Sequence, residues 1–347
     1  MGKDPKGKKD YRYPQITLKD VAQHTGYSVN TVSRALRGVY PTDAATQKIL
    51  AAAQKLGYIG NSIASSMRSG ATRTVAVILG DIANPHYARI VKTMVNYMSK
   101  CSYTLSIYNT ENNIGYEKNA IISAIRNGVD GILICPVETS ENNVGILKKH
   151  RIPFVIFGRG DRDPSVSTVR LDDVQGGYLA AKHLMDLGCE NIIFINGPER
   201  LVTSQERLLG FMQAFAKGYR TFDPKNVIYL PSLITLMGRN DRSWNSMISK
   251  IIKDIEFDGI VAFNDQVAFK ALHIMRNLNY SRIPIHMIPV VGFDNIMESL
   301  PIPIKYSSVG YAKEDIALVA SELLMEMLQG DTAPKQLMMS VRLYHYG

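Results

Sequence analysis

The chain has 347 residues, 46% hydrophobic and 20% charged, with a net charge of +9, which is ordinary for a soluble globular protein of one small and one or two larger domains. Cys101, Cys135 and Cys189 stand far apart in apolar runs with no C-x-x-C, and read as buried free thiols of a reducing cytosol. No apolar segment opens the chain as a signal peptide would, and no run approaches the roughly 20 residues of a membrane span, so a cytoplasmic protein is expected.

Residues 1–15 are rich in Lys, Gly and Pro and lack periodicity. They read as a mobile basic arm within reach of phosphates, or as a leader without a role. Residues 16–60 read as three short helices. Thr17 is placed to cap the first, with Asp20 as its capping-box partner. Leu18, Val21 and Ala22 form its inner face, and Thr25-Gly26 makes the turn. Ser28 caps the second helix, whose Val32, Ala35 and Leu36 turn inward. Two helices joined by a short Gly-containing turn make a helix-turn-helix, which lays its second helix in the major groove of DNA.

The first turn of that second helix offers chemistry suited to bases. Val29 supplies a methyl contact for thymine, Asn30 a bidentate amide for adenine, and Arg34 a fork for guanine or phosphate. The hydroxyls of Thr17, Ser28, Thr31 and Ser33 suit phosphates. The alternative is a plain helical hairpin with these residues merely solvated. Charge speaks for DNA: residues 1–72 hold 11 Lys+Arg against 4 Asp+Glu. The third helix starts near Thr42-Asp43, after Pro41, runs through Ile49, Leu50, Ala53 and Leu56, and is closed by Gly57; its role is packing. Residues 61–73 form a short Ser-rich segment bounded by Gly60 and Gly70 at its helical part, too short to hold a helix alone.

From residue 74 the pattern changes. Apolar runs such as TVAVILG, DGILICPV and PFVIFGR alternate with amphipathic segments, and the rhythm repeats after Asp172 with NIIFINGP, DGIVAFND and IPVVGFDN. Such runs between helices mark buried parallel strands. Two series in tandem make two doubly wound α/β lobes, whose ligands bind outside the strand carboxyl ends. Asn84, Arg159, Asp172 and Asn264 each stand where a strand gives way to a loop or helix, although Asn84, followed by Pro85, also suits a helix cap. Trp244 reads as a packing residue on a helix. Catalysis lacks a basis: there is no G-x-G-x-x-G, P-loop, H-E-x-x-H or G-x-S-x-G. The seven histidines show no metal-ligand spacing, and Asp172-Asp173, taken in a strand, would face opposite ways. Neither a cofactor nor a metal is expected.

Three stretches together resemble one family: T-L-K-D-V-A, G-Y-S-V-N-T-V-S-R-A-L, and L-G-Y-I-G-N-S-I-A-S-S-M-R-S-G. They are similar, almost without gaps from Ile16 to Arg73, to the DNA-binding headpiece of LacI/GalR transcriptional regulators. Gly60 and Met67 depart from the Pro and Leu usual there. The resemblance implies that Asn61, Ala64 and Met67 form a hinge that enters the minor groove, with Met67 as its wedge.

The second half resembles the family's effector domain, itself similar to periplasmic sugar-binding proteins. This implies three crossings between lobes, near Asp172, near 305–308 and after Gly330. The first lobe would be 74–171 with 307–330, the second 172–306 with 331–347. It also implies that His86 and Tyr87 face the cleft, and that Arg207 and Asp294 grip the ligand, with Asn264 completing a polar clamp. A planar Arg fork and carboxylates suit the adjacent hydroxyls of a sugar. The alternative is that Arg207 and Asp294 pair only with each other.

The expectation is a sequence-specific DNA-binding transcriptional regulator, a repressor, controlled by a sugar or sugar derivative in the cleft. The C-terminal segment carries no additional heptads, so a homodimer on a pseudo-palindromic operator is expected. A nucleoside or another small polar metabolite stays open as the ligand, and a protein corepressor as the regulating partner. A sugar-binding module with a vestigial headpiece is the competing reading.

Overall fold

The computed structural model describes residues 16–39, 43–60, 70–137, 141–160, 163–231, 242–277, 287–296 and 306–346. They form two compact units, Met1–Thr72 and Arg73–Gly347.

The first unit contains α1 (Leu18–Thr25), α2 (Val29–Leu36) and α3 (Ala44–Leu56). The capping box forms: the Thr17 backbone N–H donates to Asp20 Oδ2 at 2.7 Å, and the Asp20 N–H donates to Thr17 Oγ1. Gly26 ends α1 at φ 78°, a conformation that suits glycine. Val21, Val32 and Ile49 are fully buried, with Ala22, Ala35 and Ala53 around them. Leu50 lies at the surface instead. The alanines let three short helices approach closely around so small a core.

The second unit begins with β1 (Thr74–Leu79), α4 (Pro85–Lys100), β2 (Thr104–Asn109), α5 (Ile114–Arg126), β3 (Gly131–Ile134), α6 (Glu141–His150), β4 (Phe154–Phe157) and β5 (Thr168–Leu171). It continues with α7 (Asp173–Asp186), β6 (Ile192–Asn196), α8 (Val202–Lys217), β7 (Val227–Tyr229), α9 (Arg242–Asp254), β8 (Gly259–Ala262), α10 (Asp265–Asn277) and β9 (Val290–Phe293). The last elements are β10 (Tyr306–Gly310), α11 (Lys313–Leu328), β11 (Gln336–Met339) and β12 (Arg342–Tyr346). Trp244 falls on α9. Cys135 and Cys189 are buried, Cys101 half-buried, and all three are free.

One sheet runs β11-β5-β4-β3-β1-β2, the other β12-β10-β9-β8-β6-β7. Every neighbouring pair is parallel except β10 and β12. Helices cover both faces, so the central strands are buried from end to end, except for the half-buried Thr74 at the start of β1, and carry no polar alternation.

The crossings correct the expected lobe boundaries. β10 pairs with β9, so residues 307–310 belong to the second sheet and not the first. α11 packs on β3, β4 and β5 of the first sheet, and β11 pairs there with β5. The chain therefore crosses at Asp172, after Gly310, and between Met339 and Arg342. Short apolar strands look alike in sequence; only hydrogen-bond pairing assigns each to its sheet.

Two contacts shape the second lobe. α7 and α8 touch backbone to backbone: a Cβ at Gly177 would lie 1.9 Å from the Arg207 carbonyl oxygen, and one at Gly210 would lie 1.8 Å from that of Val174. Asp265, fully buried at the start of α10, accepts from the Tyr306 hydroxyl, from Ser308 Oγ at 2.8 Å and from the Ile296 N–H at 2.8 Å. Burial and then the Asp294 carboxylate push its pKa up to about 7, against these three donors.

Gly177→Ala is expected to force the two helices apart and cost about 1–3 kcal/mol or more, read as a lower urea midpoint. Between about pH 4 and 7 the folded chain holds an Asp265 proton that the unfolded chain has released. This group's stabilisation is therefore present in acid and lost as pH rises through about 7. Urea midpoints across that window should fall in the parent chain and flatten in Asp265→Asn.

Candidate functional site

On α2 the face opposite Val32 and Ala35 carries Val29, Asn30 and Arg34, all exposed. The hydroxyls of Thr17, Ser28 and Thr31 are already engaged. Ser28 Oγ accepts from the Thr31 N–H at 3.1 Å and lies 2.8 Å from Thr31 Oγ1. Thr17 Oγ1 donates to Asp20 at 2.7 Å. Ser33 is half-buried, and its carbonyl accepts from Arg37 Nε at 3.0 Å. Thr17 and Ser28 thus fix the helix starts, while Val29, Asn30 and Arg34 face outward. Asn61, Ala64 and Met67 lie outside the described residues.

In the second unit a cavity opens between the carboxyl ends of the two sheets. His86, Tyr87 and Arg159 from the first lobe and Arg207, Asn264 and Asp294 from the second all line it. Asp172 does not; its Oδ1 accepts from the Gln175 N–H at 2.9 Å as the cap of α7. It lines instead a smaller neighbouring cavity that shares Arg207 and Asp294 with the first. The pair Asp172-Asp173 starts a helix, not a strand, which gives the two carboxylates separate tasks.

Asp173 is the partner of Arg207. Arg207 Nε donates to Asp173 Oδ1 at 2.7 Å, and its Nη1 donates to the Phe263 carbonyl. The guanidinium lies 4.9 Å from the centre of the Phe263 ring and 4.0 Å from that of Phe293. Buried carboxylate, carbonyl and rings hold it in one orientation. The alternative pairing of Arg207 with Asp294 does not form.

Other side chains combine packing with display. Arg159 Nη1 donates to the carbonyls of Pro136 and Val137, which anchors the loop after β3. The Tyr87 hydroxyl meets Cys135 Sγ at 3.4 Å, and burial raises the Tyr87 pKa well above its usual value. Asn264 Oδ1 accepts from the Val267 N–H at 2.9 Å and caps α10. Asn84 caps α4 through Oδ1, and its Nδ2 donates across the lobes to Gln266 Oε1 at 3.3 Å. Arg170 Nη1 meets Glu206 Oε1 at 3.2 Å across the same divide.

Asp294 stands at φ 90°, a conformation that side chains rarely adopt. The turn after β9 thereby delivers its carboxylate to the cavity. Asp81 Oδ1 accepts from the Ala83 N–H at 2.9 Å, but Asp81 Oδ2 and His86 Nδ1 are buried without a partner among the described residues. A buried polar atom left unpaired costs about 1–3 kcal/mol, so the cavity is arranged to be filled by polar groups. Asp81 belongs to the run 81–87 after the first strand, which the sequence marks as a place for ligand candidates. Phe263 and Gln266 line the cavity without a sequence signal of their own, although Gln266 stands at a strand-to-helix junction.

The family model described as "Bacterial regulatory proteins, lacI family" matches residues 17–61, and "Periplasmic binding protein domain" matches residues 75–332. The chain is 29% identical over 319 residues to the HTH-type transcriptional repressor PurR of Aliivibrio fischeri, covering 90% of this chain and 92% of that protein. It is similar in structure to the transcriptional regulator CelR in complex with cellobiose, at 25% identity and TM-score 0.67 over 95% of this chain and 98% of that one. The Lac repressor dimer bound to operator and the anti-inducer ONPF shares the fold at 20% identity and TM-score 0.78, over 95% and 98% of the two chains. A second helix that displays Val29, Asn30 and Arg34, a two-lobed body with a polar cavity and these matches over nearly the whole length agree: the chain belongs to the LacI family and is a DNA-binding transcriptional regulator.

Proposed function

We propose that this regulator is a repressor, working as a homodimer, whose operator affinity is set by a small hydroxyl-rich ligand enclosed between the two lobes. The carrying observation is the cavity itself. Groups from both lobes converge there, and two of their buried polar atoms, Asp81 Oδ2 and His86 Nδ1, have no partner among the described residues. A sugar presents adjacent hydroxyls that both donate and accept, which suits mixed carboxylates, amides and guanidinium groups. The similarity to CelR, solved with cellobiose, supports the same class. The ligand acts by favouring one degree of lobe closure, and affinity for DNA changes by the coupling between the two states.

Asn30→Ala is expected to relax discrimination at one base pair by about 1–3 kcal/mol, in gel shifts on a duplex selected from random DNA by the parent chain. Unchanged discrimination would mean that Asn30 does not read a base. A thermal-shift panel of neutral sugars, nucleosides and sugar phosphates should show sugars raising the melting temperature. A ligand at 100 times its Kd adds about 2.7 kcal/mol to the folded state. In Asp81→Asn the sugar-induced shift should shrink while the ligand-free melting temperature does not fall, because Oδ1 can still hold the Ala83 turn. Stabilisation by nucleosides alone would replace the sugar reading.

A further inference from the structure

Away from the cleft, the amino ends of the second sheet's strands open on a pocket of about 810 Å³. His183, Ser307 and His345 line it together, beside the apolar Leu187, Met287 and Pro289. His183 lies in the last turn of α7, and Ser307 and His345 stand opposite each other where β10 and β12 pair.

Ser307 Oγ lies 3.1 Å from His183 Nε2 and 3.2 Å from His345 Nδ1. The ring centres are 4.7 Å apart, with the planes tilted by 50°. Two ring nitrogens therefore converge on one oxygen. A hydroxyl has a single proton and donates to only one of them. Burial and then His345 hold the His183 pKa below its usual value, against Asp186, so at pH 7 the His183 ring is neutral and can offer a lone pair.

The surroundings favour a cation. His183 sits at the negative end of the α7 dipole. The Asp186 carboxylate acts on it, and Asp258 lines the same pocket. The neighbouring cations have partners of their own: Lys182 pairs with Asp186, and Arg220 Nη1 donates to the Cys189 carbonyl at 2.7 Å. Imidazole nitrogen suits zinc, nickel and copper, at about 2.0–2.1 Å for zinc, whereas magnesium takes oxygen ligands. His345 is exposed on an edge strand, so its ring can turn to bring both nitrogens onto one ion. Among the described residues no third His, Cys, Asp or Glu joins the pair in a group able to hold a metal, so water from the open pocket completes the shell.

We propose that His183 Nε2 and His345 Nδ1 bind one exchangeable divalent ion of the zinc class, with the Ser307 hydroxyl beside it, and that the ion fastens β12 to α7. The inference is independent of the ligand in the cleft.

The test titrates metal-stripped full-length chain with zinc chloride by calorimetry, and one ion per chain should bind. In His345→Asn the amide still reaches Ser307, so the metal-free melting temperature should hold while zinc affinity falls about a hundredfold or more, since even partners behind a ligand are worth ten- to a hundredfold. His183→Asn should lose zinc likewise. His150→Asn, exposed on α6 of the first lobe, should keep it. No zinc binding by the parent chain, unchanged affinity in His345→Asn, or loss in His150→Asn overturns the site. An equal response to magnesium chloride does the same, because two imidazoles would not bind magnesium as they bind zinc. If metal-free His345→Asn melts lower, anomalous scattering from zinc-soaked crystals of the parent chain decides: a peak between the two rings supports the site, and its absence there overturns it.

Discussion

The second lobe is organised by a contact that no side chain could make. α7 and α8 meet at Gly177 and Gly210, where a Cβ on either helix would fall inside the other's backbone. This approach sets Asp173 and Arg207 at bonding distance. Arg207 is 5% exposed, and a guanidinium buried so deeply is costly to the fold unless partners surround it. Asp173, the Phe263 carbonyl and two aromatic rings supply them. The cleft thus starts from a rigid cation whose position is a property of helix packing.

Around that cation the polar groups divide into those already satisfied and those left open. Asn84, Asn264 and Asp172 spend an oxygen on capping helices, and Arg159 spends an Nη1 on the loop after β3. Asp81 Oδ2 and His86 Nδ1 remain unpaired among the described residues. The satisfied groups give the cavity its shape, and the open ones give it a reason to bind. Besides the buried Lys313 Nζ, which donates to the Asn295 carbonyl at 3.2 Å, contacts across the divide include Asn84 with Gln266 and Arg170 with Glu206, a single bond and a half-exposed ion pair. Contacts of that kind contribute about 1 kcal/mol or less, which leaves closure responsive to a ligand.

The headpiece follows different physics. Its core is six small or medium apolar side chains, so the caps at Thr17 and Ser28 carry a larger share of helix definition than they would in a large domain. By fixing where α2 begins, Ser28 also fixes which residues form its exposed first turn. Stability and the display of Val29 and Asn30 are in this sense one design, with the cap beneath and the exposed side chains above.

Local signals were legible in the chain alone. Thr17 with Asp20, Ser28, Gly26 and Gly57 mark helix ends through chemistry within a few residues of themselves, and Val/Ile runs mark buried strands wherever they pair. Residues at strand-to-helix junctions could be named as cleft candidates, because a doubly wound sheet brings those junctions to one edge. Folding decided what depends on distant partners: that β10 joins the second sheet, that Arg207 pairs with Asp173 and not Asp294, and that Asp172 is a cap. The sequence by itself determined the elements and the kind of site, since periodicity and capping act over one or two turns. The tertiary structure alone decided which charges meet, because burial and partner distance are set by packing between segments far apart in the chain.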